Sequence, residues 1–281
     1  MVKSVIKQQY PNITSTQLRR IKSSISDKCS EYYFLGFMRS SSGNVDDALK
    51  FFSLDQELRS LILPYIIIME IQLKKDFAIM IEHSTRSKQF WKVNKYYDAS
   101  TRLRRPGKRS KCYLTKKKIE KSISKLHPRT IGPLNHVAMY SISFGTFEML
   151  FNQIDTRYEQ DFINKYTSHL SVHSYNILTN YFESFRYLRN RCSHGSHIIT
   201  KKVASDLRRY GGSVIVDPAN NPLHGQYVSY FEMVLLFMIK QLNCGDEFKH
   251  KLRALLGQYA NLLASYPTGH SLSTNTIGKI V

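Results

Sequence analysis

Between residues 49 and 83, apolar side chains return every three or four positions: Leu54, Leu58, Leu61, Ile62, Tyr65, Ile66, Met69, Leu73, Phe77 and Met80. That interval gathers them on one stripe of an α-helix, which no strand does. Pro64 falls inside the run and is expected to kink it. The block Ile66-Ile-Ile-Met-Glu-Ile71 is apolar nearly all round, which predicts burial. Glu70 lies within it, and a buried carboxylate needs a partner. Lys74 stands four residues on, on the same helical face.

The same period governs most of the chain. Eight prolines and thirteen glycines interrupt 281 residues, and no internal repeat is visible. Residues 12–48 read as two short helices with polar turns. Thr115 to Leu126 reads as a basic helix. Residues 133–153 are helical, with a break at Ser143-Phe-Gly-Thr146 and an N-cap expected at Thr146. Residues 156–173 form one or two short helices, and 174–194 the clearest amphipathic one. Two closing helices span 226–243 and 246–265. Gly211-Gly212 and Asp217-Pro-Ala-Asn-Asn-Pro222 bracket Ser213-Val-Ile-Val216 as a loop or small hairpin. The fold class is therefore all-α. The expected division is an N-terminal helical segment (1–48), a main domain (49–265) with a basic insertion (100–129), and a polar tail (266–281).

Forty-one Lys and Arg against 21 Asp and Glu leave a net charge of +20. A polyanion is the simplest partner for that surplus, nucleic acid first and an anionic membrane surface second. Residues 100–129 hold twelve of these cations against one acid, Glu120. Two readings of this stretch stand side by side. It is a solvated, disordered insertion, or a surface that tracks RNA phosphates through Arg102, Arg104, Arg105, Lys108, Arg109, Lys111, Lys116, Lys117 and Lys118, with Tyr96, Tyr97 and Tyr113 available to stack on bases. The longest apolar stretch, within Tyr230–Ile239, is far short of a membrane span, and the first ten residues lack the apolar core of a secretory signal. Cys29, Cys112, Cys192 and Cys244 are scattered singly, so neither a disulfide framework nor a zinc site is indicated. A reducing cytoplasm is the expected compartment, with no metal or cofactor and no membrane partner.

The stretch that bears chemistry is Phe185-Arg-Tyr-Leu-Arg-Asn-Arg-Cys-Ser-His194. With Leu188 at 0°, the apolar stripe centres near 45°, Arg189 falls at about 100°, Asn190 at about 200° and His194 at about 240°. A guanidinium, an amide and an imidazole then share one polar arc on a helix whose other side is anchored. The imidazole moves protons near neutral pH and the guanidinium grips phosphate. By spacing alone, the same residues also fit an ordinary polar face near a helix C-terminus.

Arg189-Asn-Arg-Cys-Ser-His194 resembles the R-x4-6-H signature of HEPN ribonucleases, in the R-N-x-x-x-H form of Abi-family phage-defence proteins. Phe52-Ser-Leu-Asp-Gln-Glu-Leu-Arg59, continuing to Lys75, resembles the first core helices of that family, with Glu70 and Lys74 matching an E-x3-K/R pair. Pro133 to Thr146 resembles its block ending S-F-G-T. Together these span roughly residues 50–200, with AbiF/AbiD-like proteins the nearest branch. The sequence departs from the pattern after His194, where Gly195, Ser196 and His197-Ile-Ile replace a second His and R-L-W-N. The resemblance implies a HEPN-type helical bundle with a basic insertion and extra terminal helices. It implies a metal-independent endoribonuclease toxin of phage defence, with Arg189, Asn190 and His194 catalytic and Glu70 and Lys74 in support. It further implies a homodimer with a composite site, restrained by a structured noncoding RNA. The alternative is a noncatalytic RNA-binding protein in which Arg189 and His194 only hold phosphate.

Three weaker signals complete the reading. His169 and His173 have i,i+4 spacing suited to a metal, without supporting carboxylates. Cys192 belongs to the core stripe. Asp55 and Arg59 are an i,i+4 pair with a structural role expected.

Overall fold

The computed structural model describes residues 4–26, 29–102, 110–126, 134–168, 175–200 and 230–267. Thirteen α-helices and three 3-10 turns account for most of these residues, and the described residues contain no strand. The only pairing of strand type between described segments is an isolated bridge from Tyr97 to Ile154. The all-α expectation holds. Ser213–Val216, the His169/His173 pair and the tail from 268 lie outside the described residues.

The chain divides into two compact units, with the division falling after Tyr65 and after Arg186. The first unit opens with α1 (Val5–Gln9), α2 (Ser15–Ile25) and α3 (Glu31–Ser40). Each begins at a hydroxyl that accepts a backbone N–H of its first turn: Ser4, Thr14 and Ser30. Thr14 and Gln17 form a reciprocal capping box. The long helix α4 runs Val45–Thr85 with Pro64 inside it. It starts where the Asn44 side-chain oxygen accepts the amides of Asp46 and Asp47. Phe34 and Phe37 of α3 pack on Phe52 of α4 with ring centroids 5.9 and 5.6 Å apart. The closing helices of this unit are α11 (Tyr230–Gln241), α12 (Gly245–Gln258) and α13 (Ala260–Ser265). The single helix expected over 246–265 is thus broken at Tyr259, whose N–H returns to Leu256. Tyr65 rests on Phe248, centroids 4.6 Å apart, and its hydroxyl donates to Glu247.

The second unit carries the C-terminal part of α4, then α5 (Ala99–Arg102), α6 (Lys111–Leu126), α7 (Asn135–Ser141), α8 (Phe144–Phe151), α9 (Gln160–Thr167) and most of α10 (Tyr175–Ser193). Its core is aromatic. Phe77 meets Phe90, Phe147, Phe151 and Phe162 at 5.2–6.0 Å, mostly edge to face. Phe182 of α10 meets Phe144, Phe147 and Phe151 of α8 at 5.0–5.8 Å.

Two local expectations are corrected. Ile66 and Met69 are fully buried, but Ile67, Ile68 and Ile71 are 48, 45 and 44% exposed. The apolar block therefore has only one covered side, because a continuous run of isoleucines gives periodicity no contrast from which to choose a face. The break at Ser143–Thr146 is present, yet the cap is Ser143, whose hydroxyl accepts the Thr146 amide. Phe144 is then the first helical residue and Thr146 lies inside the first turn.

Candidate functional site

Helix α10 is held by Leu178, Tyr181, Phe182, Phe185, Leu188 and Cys192, all buried. Its register leaves Arg189 and Asn190 half-buried and His194 exposed. The three expected catalytic side chains thus stand off the packed stripe, as the wheel requires. Arg189 Nη1 donates to Asn190 Oδ1 at 3.4 Å, a long contact that brings guanidinium and amide side by side. The His194 N–H closes the last helical bond, to the Asn190 carbonyl at 2.9 Å.

The helix stops immediately after the imidazole. Gly195 has φ +66°, and the Ser196 amide returns to the Arg191 carbonyl at 2.9 Å. This six-to-one bond over a left-handed glycine is a Schellman closure. His194 is therefore the last residue before the chain reverses. Arg191, the remaining basic residue of the motif, is committed to structure. Its Nη1 donates to the His197 carbonyl at 2.6 Å, and its guanidinium lies 4.6 Å over the Tyr187 ring.

The segment after the turn is pinned from α4. The Asp55 carboxylate is fully buried and accepts the amides of Ile198 (2.8 Å) and Ile199 (3.2 Å) as well as Arg59 Nε (3.0 Å). Burial pushes the Asp55 carboxyl upward, opposed by the Ile198 amide, the Arg59 charge and the Ile199 amide. Arg59 continues past Asp55 to Gly195, where a Cβ would stand 3.3 Å from its Nη1. His197 lies between Tyr33 and Phe37, with centroids 3.7 and 4.6 Å away. Gly36 makes room for it, since a Cβ there would fall 2.3 Å from the imidazole. The i,i+4 spacing of Asp55 and Arg59 is visible in the sequence. Their proximity to the end of the motif is not.

Glu70 and Lys74 form the expected pair at 2.5 Å, with side chains 13 and 8% exposed. Lys74 also donates to the Ile142 carbonyl at 2.6 Å, just ahead of the Ser143 cap. The pair thereby holds the entry to α8, and α8 supports α10 through Phe144, which meets Phe185 at 4.8 Å. Arg186 of α10 is paired with Glu148 of α8 at 2.6 Å.

Of the basic segment, residues 100–102 and 110–126 are described. Helix α6 buries Cys112, Thr115, Ile119 and Ile123 on one stripe and packs on α7 and α8. It is therefore a docked helix rather than a solvated insertion. Arg102, Lys111, Lys117 and Lys118 are exposed, Lys117 bridging to Glu120 and Lys118 donating to Met149 Sδ. Lys116 differs. Its ammonium donates to the Lys92 carbonyl and to Asn94 and covers the Tyr97 ring, and desolvation lowers its pKa. Arg104, Arg105, Lys108 and Arg109 lie outside the described residues. Tyr96 and Tyr97 are core residues, 5 and 0% exposed, whose hydroxyls donate to the carbonyls of Thr85 and Trp91. The expectation that they stack on bases is overturned. Tyr113 remains exposed.

A family model described as Abi-like protein matches residues 28–200. The chain belongs to the Abi-like protein family. The matched span begins just before α3, contains the motif helix and its closing turn, and ends at Thr200, one residue past the amides that Asp55 holds. Comparison of this Abi-like chain with curated proteins and with solved structures gave no match. No helix among the described residues is long and apolar enough to cross a membrane.

Proposed function

We propose that this Abi-like protein is a metal-independent endoribonuclease of the HEPN type, acting in abortive infection. The observation that carries the proposal is the last turn of α10. It puts Arg189, Asn190 and His194 off the packed stripe of an anchored helix, inside the span matched by the family. The 2′-hydroxyl of a ribose attacks its own 3′-phosphate, and the bond to the 5′-oxygen of the next nucleotide breaks. One imidazole takes the 2′ proton and another supplies a proton to the leaving 5′-oxygen. Arg189 stabilises the charge that develops on the phosphorane, and Asn190 orients the phosphate or the ring. The products are a 2′,3′-cyclic phosphate and a 5′-hydroxyl.

Two proton transfers and one motif per chain favour a homodimer that shares its two His194 rings. The exposed cations of α6, with a net charge of +20, suit a structured noncoding RNA that restrains the enzyme. The test is cleavage of total RNA by the purified protein in EDTA. Wild type is expected to yield cyclic-phosphate ends and an R189A/H194A double variant none. Equal cleavage by both removes the proposal. The second reading, a noncatalytic RNA-binding protein, is favoured if wild type binds RNA and leaves it intact.

A further inference from the structure

We propose that Arg59 is a second phosphate-binding arginine of the motif site, presented at the end of α10 by Asp55. The inference rests on the nuclease reading of that helix end and adds a residue that the R-x4-H signature does not contain. A guanidinium offers donors on more than one edge, and Asp55 engages only Nε. One terminal nitrogen, Nη1, reaches Gly195, next in the chain to His194, close enough that a Cβ there would stand 3.3 Å from it. No hydrogen bond from either terminal nitrogen to another group is present among the described residues, and the side chain keeps 16% exposure. One Asp55 oxygen is taken by the Ile198 and Ile199 amides, and the other meets Arg59 through Nε alone, so the ion pair is not bidentate. A fixed Nε edge with unengaged terminal donors is the form in which arginine grips a phosphate oxygen. Asp55 is the positioning residue, because it sets which edge of Arg59 remains open. The ligand is a phosphodiester of single-stranded RNA.

The test uses the full chain and a labelled single-stranded RNA whose 2′-hydroxyls are all O-methylated, which binds without being cleaved. Affinity is measured by anisotropy across a salt series. Arg59→Lys keeps a cation for Asp55 but gives up the open edge. It is expected to weaken binding about fivefold or more and to reduce the log–log salt slope by about 0.7, the loss of one phosphate contact. A double variant, Asp55→Asn with Arg59→Gln, preserves hydrogen-bonding capacity without burying a lone charge. It is expected to give the same slope change if its far-ultraviolet spectrum is that of wild type. An unchanged slope in Arg59→Lys overturns the proposal, as does failure of wild type to bind the probe. Arg189→Ala in the same series separates the two readings. A slope reduced by Arg189→Ala but not by Arg59→Lys defeats the role of Arg59 alone. A slope reduced by Arg59→Lys but not by Arg189→Ala upholds Arg59 and counts against Arg189 as the nuclease reading places it.

Discussion

The Lys74 ammonium donates at 2.6 Å to the carbonyl oxygen of Ile142, sixty-eight residues along the chain. With Glu70 it forms a buried charge pair that holds the start of α8, the helix on which Phe185 of α10 rests. Lys74→Met leaves the Glu70 carboxylate and the Ile142 carbonyl without this donor. We expect a loss of about 3 kcal/mol in stability, and about 1 kcal/mol for Glu70→Gln, which keeps an acceptor. Midpoints of denaturant unfolding measure both, and equal losses would contradict the assignment of the larger role to Lys74.

Gly195 adopts a φ that favours glycine, and Arg59 closes over it. Gly195→Ala is expected to cost about 1–2 kcal/mol from the backbone alone. It should also lower RNA cleavage by displacing either the guanidinium or the imidazole. Thermal melts and single-turnover cleavage report the two effects separately. An alanine variant as stable as wild type would mean that the Schellman closure is not formed.

The lysines of α6 divide into two classes. Replacing Lys111, Lys117 and Lys118 together by Ala should reduce the salt slope of RNA binding by about two to three and leave the melting temperature nearly unchanged. Lys116→Ala should do the reverse, because its ammonium ties α6 to the Lys92 carbonyl and Asn94. Melting curves and salt titrations of the two variants decide. A salt slope that moves more in Lys116→Ala than in the triple variant would invert the assignment.

Glu159 is 1% exposed, and among the described residues neither carboxylate oxygen has a hydrogen-bond partner. Burial, with a smaller contribution from Asp155, raises its pKa well above the usual 4.5. The folded state therefore holds this proton more tightly than the unfolded chain. Its contribution to stability is complete below pH 4.5 and is lost as pH rises through the raised value. Glu159→Gln should melt higher than wild type at pH 8, with the gap narrowing toward pH 4. A gap that stays constant across that range would show that Glu159 is not the group responsible.

The elements of this fold were legible because helices register in local spacing. The apolar stripes of α4 and α10, the basic helix α6 and the polar arc of Arg189, Asn190 and His194 all follow from intervals of three and four. What escaped depends on packing that local spacing does not record. Asp55 meets amides 143 and 144 residues away, so its i,i+4 spacing with Arg59 says nothing about the turn it holds. Tyr96 and Tyr97 sit beside a cationic stretch yet are buried through Thr85 and Trp91. Ile67, Ile68 and Ile71 are indistinguishable by residue type from Ile66, and only packing separates them. The cap at Ser143 rather than Thr146 reflects two hydroxyl residues three positions apart that are both competent to cap.

The closure at Gly195 also makes spacing a determinant in its own right. Each residue added between Arg189 and the glycine would carry the ring a further 100° around the axis and 1.5 Å along it. A single insertion there would swing the imidazole out of the arc it shares with Asn190, while every side chain of the signature remained present. In this chain, where the signature takes its shortest R-x4-H form, the glycine turn ties the number of residues between guanidinium and imidazole to the helix end, and an insertion scan is expected to find this interval less tolerant than substitution at its intervening positions.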